Sequence, residues 1–201
     1  MSNKGSWEHE WAGFKGLNIF GKIFARSQRN TVKRFLEGEN VPKTAKILDF
    51  GCGSGRTLSM FRESGYGNSI GLDVSPSSIK LCEKRGFKAG KDVFLYKGNR
   101  APFRGKTFDL VFADGVLEHF KNFAPIAREM CRLSKRYAVI TQPNHFSLYG
   151  KLLRISGRKA VYEYTYNTAD FVKAFEKSGF HLIRFARFNF GEHWAFLFAK
   201  R

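Results

Sequence analysis

The sequence predicts an α/β fold: an open, mostly parallel sheet with helices on both faces, an N-terminal helical cap and a C-terminal antiparallel hairpin. Three observations carry this reading. Short apolar runs alternate with amphipathic stretches from Ile47 to Thr141, the pattern of strand–helix units whose sheet is covered on both sides. The first run, Ile47-Leu48-Asp49-Phe50, empties into Gly51-Cys52-Gly53-Ser54-Gly55 and then into a helix start. The chain closes on two strand-like runs, Leu182–Phe188 and Trp194–Ala199, joined by the hairpin-length turn Asn189-Phe190-Gly191-Glu192.

Taken in order, residues 1–42 read as the cap. Leu17, Phe20, Phe24, Val32, Phe35 and Leu36 recur at helical steps with Lys22, Arg26, Arg29, Lys33 and Arg34 between them. Such a basic amphipathic helix packs on its own domain or lies on a membrane surface. Gly38 and Pro42 end it. Residues 45–142 form the alternating core. A helix over Thr57–Glu63 stops at Ser64-Gly65, and a strand follows to Asp73. Ser75-Pro76 then opens a helix closed by Gly86, proline being suited to a first helical turn. A third strand spans Val93–Tyr96 and a loop Gly98–Phe103. Phe108–Ala113 is a fourth strand, too apolar on both faces for a sheet edge. Helices over Val116–Phe120 and Ala124–Leu133 lead to a fifth strand, Tyr137–Thr141, stopped by Pro143. Residues 143–167 are basic and aromatic, and residues 168–201 hold the last helix, capped by Asn167 with Asp170, and the hairpin.

Composition bounds the function. The 201 residues suit one domain with a full core, 43% of them hydrophobic and 22 of them Phe. No apolar run approaches the ~20 residues that cross a bilayer, and the N-terminal residues lack a signal peptide's order. The three cysteines, Cys52, Cys82 and Cys131, form no C-x-x-C pair, so no zinc site or disulfide framework is expected and a reducing, cytoplasmic setting is. A net charge of +18 suits a solvated surface and equally favours anionic partners: RNA, phosphorylated or acidic small molecules, or an acidic membrane face.

The chemistry lies in the glycine loop. Alternate glycines permit positive φ and let a ligand approach the backbone, while the following helix presents unpaired N–H groups. A second acid, Asp73, ends the run Ile70-Gly71-Leu72-Asp73, about 20 residues on, the separation at which a strand-end carboxylate reaches ribose hydroxyls. The spacing is acid-x-G-x-G-x-G rather than G-x-G-x-x-G, which disfavours a nicotinamide dinucleotide.

With Asp49–Gly55, Gly71-Leu72-Asp73-Val74-Ser75, Ala101-Pro102-Phe103, Phe108–Ala113 and Leu117-Glu118-His119 in order, the chain resembles the class I S-adenosylmethionine-dependent methyltransferases, and most the ubiquinone/menaquinone-type, small-molecule subgroup. Tyr164-Thr165-Tyr166 to Gly179-Phe180 resembles that subgroup's last helix and strand. The resemblance implies a Rossmann-like, seven-stranded sheet with one antiparallel strand, and S-adenosylmethionine as cofactor with S-adenosylhomocysteine as product. It implies that Gly51, Cys52, Gly53 and Gly55 make the backbone cradle and that Asp49 faces the methionine ammonium. Asp73 would take the ribose hydroxyls, Val74 would pack on adenine, and Ala113 and Asp114 would line the methionine end. Asn99, beside Arg100, stands where the family usually has an acid facing the adenine amino group. Ser134-Lys135-Arg136 replaces a Pro-Gly-Gly often seen in the subgroup and is expected to be a surface turn.

Methyl transfer from a sulfonium needs chiefly positioning, and a general base only if the acceptor must lose a proton. Glu118 and His119 are candidates for that base or for ordering the loop; His145 is a candidate base or an ordinary loop histidine. Cys52 is assigned no chemistry. Tyr149, Arg154, Arg158 and Tyr162 are candidate acceptor contacts. The expected acceptor is small or lipid-like and anionic, with RNA the alternative, read through basic residues and stacking tyrosines. Neither an Asn/Asp-Pro-Pro-aromatic motif nor a Pro-Cys nucleophile pair is present. A non-catalytic module is a third reading, disfavoured by the intact loop and Asp73.

Overall fold

The computed structural model describes residues 19–96, 100–147 and 164–200. Its elements are α1 (Ile19–Gly38), β1 (Ile47–Phe50), α2 (Arg56–Glu63), β2 (Ser69–Asp73), α3 (Pro76–Lys84), β3 (Val93–Leu95) and β4 (Phe108–Asp114). A short 3₁₀ turn (Leu117–His119), α4 (Ala124–Leu133), β5 (Ser134–Pro143), α5 (Thr168–Glu176), β6 (Phe180–Phe188) and β7 (His193–Lys200) complete the chain. One seven-stranded sheet runs β3-β2-β1-β4-β5-β7-β6. Every neighbour pair from β3 to β5 is parallel, and β7 is antiparallel to both β5 and β6. The hairpin therefore contributes the single antiparallel strand.

Strand alternation sorts the core into two layers. Leu48, Phe50, Val111, Ala138, Ile140, Phe196 and Phe198 face α4 and α5, where Met130, Phe171 and Phe175 meet them. Ile47, Leu110, Phe112, Val139 and Leu197 face α1 and α2, against Val32, Phe35, Leu36, Met60 and Phe61. Central β4 is covered on both faces, which explains its unbroken apolar run. Helix ends follow local chemistry. Ser75 caps α3 by accepting from the Ser78 amide with Pro76 in the first turn, and Asn167 with Asp170 forms a reciprocal capping box on α5.

Several boundaries differ from the sequence reading, β6 for one starting at Phe180 rather than Leu182. The Val116–Phe120 helix is only the 3₁₀ turn Leu117–His119, because a segment this short closes no run of α-helical bonds. β5 begins at Ser134, so Ser134-Lys135-Arg136 is strand, with Ser134 buried and its hydroxyl on the Tyr137 carbonyl at 2.7 Å. β5 also runs through Pro143, which pairs with His193 at its end, where a ladder N–H is dispensable.

The topology fixes where a ligand goes. From β1 the chain moves to β2 and β3 on one side, then crosses to β4 on the other. The crevice of an open α/β sheet opens outside the strand carboxyl ends at that reversal, and the glycine loop leaves β1 there. Phe112 sits at the middle of the sheet, fully buried, with the Phe61 ring edge-on at 5.3 Å. Phe112→Ala is expected to cost about 3–5 kcal/mol, seen as a lower urea midpoint with an unchanged slope.

Candidate active site

Gly51, Gly53 and Gly55 all adopt positive φ, 77°, 51° and 74°. A Cβ on Gly51 would stand 2.6 Å from Val116 Cγ2, and one on Gly55 2.9 Å from Cys82 Sγ. The loop is therefore held on both flanks by packed side chains and admits only glycine at positions 51 and 55. Cys52 points beneath it into a small cluster with Leu58, Ile79, Cys82, Phe87 and Val93. Its thiol is buried and pushed up beside Cys82, an inert packing role.

Asp73 ties the loop to the end of β2. One oxygen accepts the Gly53 amide at 2.8 Å and the other the Ser75 amide at 2.9 Å. Burial raises its pKa, against the pull of those amides and of Ser78. A carboxylate has lone pairs for further donors, so both oxygens keep capacity toward the cleft.

Asp49 and Asp114 stand at the ends of neighbouring strands on the α1 side of the sheet, in contrasting states. Asp114 is saturated: it accepts from Gln28 Nε2 and Thr141 Oγ1, both 2.5 Å to Oδ1, and from Arg56 at 2.5 Å to Oδ2. Gln28 also donates to the Thr141 hydroxyl at 3.0 Å. Asp49 is 1% exposed, and neither oxygen has a hydrogen-bond partner of good geometry, the Leu58 amide offering only a weak opposing dipole. Its pKa is raised well above the carboxylate range, by burial first and then by the Asp114 charge, with Arg56 opposing.

Between the glycine loop and the segment after β4 lies a cleft lined by Phe50, Gly51, Asp73, Val74, Tyr96, Asp114, Gly115, Val116, His119 and Phe120. Its enclosed volume is about 100 Å³, a narrow slot that widens into open solvent at its mouth. Val74 is exposed on its wall, 37% accessible. Burial pushes the Tyr96 phenol up to about 12, so it stays a neutral donor.

A methyltransferase-domain family model matches residues 48–140, the span holding the loop, Asp73 and the β4 end. An uncharacterized protein of Methanocaldococcus jannaschii is 30% identical over 157 residues, 77% of this chain and 68% of that protein. The chain belongs to the class I S-adenosylmethionine-dependent methyltransferases. A demethylmenaquinone methyltransferase of Lactiplantibacillus plantarum is 28% identical over 195 residues, covering 82% of each chain. Among solved structures, the magnesium protoporphyrin IX methyltransferase of Synechocystis with bound S-adenosylhomocysteine superposes with a TM-score of 0.74. It is 19% identical and covers 100% of this chain and 96% of its own.

This methyltransferase brings most of the expected residues to one place. Gly51, Asp73, Val74 and Asp114 line the cleft; Asp49, Gly53 and Gly55 belong to β1 and its loop without lining it, and Ala113 is buried in β4. His119 lines the wall, with the buried Glu118 carboxylate 3.8 Å from its Nε2. The Glu118 carbonyl accepts the Tyr164 amide at 2.7 Å. Arg100 is exposed and acts on Glu129. Glu129 in turn holds the Ala101 amide at 2.8 Å and pairs with Arg132, pinning that loop to α4. His145 stands beyond β5, near enough to His193 that their charges oppose. Asn99, Tyr149, Arg154, Arg158 and Tyr162 lie outside the described residues. Among the described residues no cluster of His, Cys, Asp and Glu could hold a metal ion.

Sequence reasoning missed Gln28, Arg56, Thr141 and His193. One signal was available: Gln28 is a polar residue within the apolar stripe of α1. Phe24, one turn earlier, packs on His193 at 4.4 Å and carries the Arg56 guanidinium at 5.6 Å. Burial drives the His193 pKa down to about 4, with Asp114 opposing and His145 adding, so the imidazole is neutral at pH 7. Below about pH 6.5 the unfolded chain takes up a proton that the folded imidazole refuses, so stability falls as pH drops toward 4. The loss at this group amounts to about 3 kcal/mol. Denaturation from pH 7 to 4 is expected to show His193→Gln losing less stability than wild type, with the two curves parallel above pH 7.

Proposed function

We propose that the cleft binds S-adenosylmethionine across the carboxyl ends of β1 and β2 and that the enzyme methylates a small or lipid-like acceptor carrying a negative group. The observation that supports the cofactor's placement is Asp49, a buried carboxylate without a partner of good geometry at the root of the glycine loop. Burial without a partner disfavours its ionised form, and a cationic amino group seated beside it would favour ionisation. When bound, the sulfonium supplies an activated methyl group to an acceptor held in line behind it.

The chain's own residues do the rest. Gly51, Gly53 and Gly55 leave the backbone open to the methionine and ribose portions. Asp73 accepts from the ribose hydroxyls while holding the loop by the Gly53 amide. Val74 and Tyr96 flank the adenine side, and Asp114 fixes the methionine side through its three donors. Phe50, Val116 and Phe120 wall the cleft with apolar surface, which excludes water and suits an acceptor with an apolar body. His119, on that wall with the Glu118 carboxylate 3.8 Å from its Nε2, is placed to take a proton from the acceptor. The net charge of +18 favours an acidic acceptor, and the likeness to a demethylmenaquinone methyltransferase supports a lipid-like one.

Calorimetry with S-adenosylmethionine tests the reading, and failure of the wild type to bind removes it. Asp73→Ala is expected to weaken binding by at least tenfold, hydrogen bonds to a charged group being worth about 1.5–3 kcal/mol. Asp49→Asn separates function from stability. Its raised pKa means the ionised side chain destabilises the fold as pH rises through that pKa. The variant is expected to melt higher than ligand-free wild type at pH 7, by a margin that shrinks as pH falls, while losing cofactor affinity.

A further inference from the structure

The turn joining β6 to β7 holds the most exposed large apolar side chain among the described residues: Phe190 is 97% exposed. Its backbone is also unusual, with φ 56° following Asn189 at φ 51°. The Gly191 amide bonds the Phe188 carbonyl at 3.1 Å, so Asn189 and Phe190 are the central pair of a tight turn with both φ positive. Asn-Gly is the pair that geometry prefers. An aromatic residue there strains the backbone and leaves a large apolar ring in water. The ring packs on none of the aromatic side chains described, and strain of this kind collects at working surfaces.

The turn stands at the cleft end of the sheet, because His193 pairs with Pro143 at the carboxyl end of β5. The N-terminal half of α1 reaches the same end. Arg184 holds the helix's other end through Glu39 at 2.8 Å and the Gly38 carbonyl at 3.1 Å, while Ser27 Oγ accepts the Asn189 amide at 3.2 Å. Ile23, one helical turn before Ser27 and on its face, is 48% exposed, and Phe146 on the same rim is 49% exposed. Exposed Lys22, Arg26 and Arg187 flank these residues. Lys22 and Arg26 also line a broad groove with Arg29, Arg56 and Arg85 on the other flank of α1.

We propose that this rim docks on an anionic lipid surface, Phe190 and Ile23 entering the acyl region while Lys22, Arg26 and Arg187 hold headgroup phosphates. Protruding apolar side chains ringed by cations match the two attractions of such a surface, apolar burial and surface charge. Ile23 is aliphatic, and Phe146 already has one face on Trp194 at 6.2 Å. Neither suits a base-stacking platform, so the rim fits lipid better than nucleic acid. The proposal extends the lipid-like acceptor reading by delivering the cleft mouth to where such an acceptor resides; vesicle binding tests it without turnover.

The test is sedimentation of the full chain with phosphatidylcholine vesicles, with and without phosphatidylglycerol. Wild type is expected to bind only the anionic vesicles and to be released by salt. Phe190→Gly creates the preferred turn pair, so it should melt no lower than wild type and bind S-adenosylmethionine equally well. Its vesicle affinity should fall roughly tenfold or more, the worth of one buried aromatic ring. Lys22→Gln and Arg26→Gln should each cost about fivefold. Wild type that binds the cofactor but stays in the supernatant overturns the docking surface alone. Vesicle binding unaffected by Phe190→Gly, or indifferent to phosphatidylglycerol, also overturns it. Single-stranded RNA binding that needs Phe190 and is not competed by vesicles overturns it in favour of nucleic acid.

Discussion

The Asp114 carboxylate is the junction on which the site depends. It ends β4 at the centre of the sheet and gathers donors from α1 (Gln28), α2 (Arg56) and β5 (Thr141). Beyond the β4–β5 ladder and the Arg29–Glu63 pair between α1 and α2, this cluster fixes the four elements relative to one another at the carboxyl ends of the strands. Hydrophobic packing is nondirectional and would tolerate small slides of α1 over the sheet. Charge-assisted hydrogen bonds fix distance and angle, so the cap takes one position over the cleft.

Asp49 shows why saturation at Asp114 matters. The two carboxylates repel, and only Asp114 has its charge matched within the chain. Arg56 sits near both yet bonds Asp114, leaving Asp49 as the uncompensated member of the pair. A fold selected for stability alone would neutralise that position. Burial and the neighbouring Asp114 charge instead disfavour its ionised form in the ligand-free chain. The glycine cradle is set in advance: its positive φ values are held by Val116 and Cys82 packing before any ligand enters, so little ordering is left to do on binding.

What the sequence made legible was whatever lies within one strand–loop–helix unit. The glycine loop, Asp73, the capping box and the apolar β4 are local patterns, and each appears where its residues predict. The 3₁₀ turn at Leu117 and the strand start at Ser134 were misread because neighbouring elements decide them: β5 begins early by pairing Ser134 with Phe108. Gln28 lies 86 residues from Asp114, and no local rule links such a pair. His193 reads as an ordinary strand end until Phe24 closes over its ring. Convergence of distant polar groups is tertiary information, and the most that sequence offers is a polar residue out of place in an apolar stripe.

Helix α1 ties these observations into one device. Within a single turn it turns Phe24 and Gln28 inward to His193 and Asp114, Ser27 sideways to the Asn189 amide, and Arg26 outward. The side chains that order the cleft and those that form the rim are therefore carried on one rigid segment. A force on the outer face cannot move Arg26 without moving Gln28, since a helix transmits displacement along its hydrogen-bonded backbone. The hairpin strap at Ser27 adds β6 and β7 to the same body, and its turn is where the strained Phe190 sits. Strain in that turn is affordable because α1 and the Asn144 amide, bonded to the Glu192 carbonyl at 2.7 Å, hold the hairpin from both sides. The buried carboxyl of Asp49 and the exposed ring of Phe190 thus both lie toward the carboxyl end of the sheet, joined through one mechanically continuous unit.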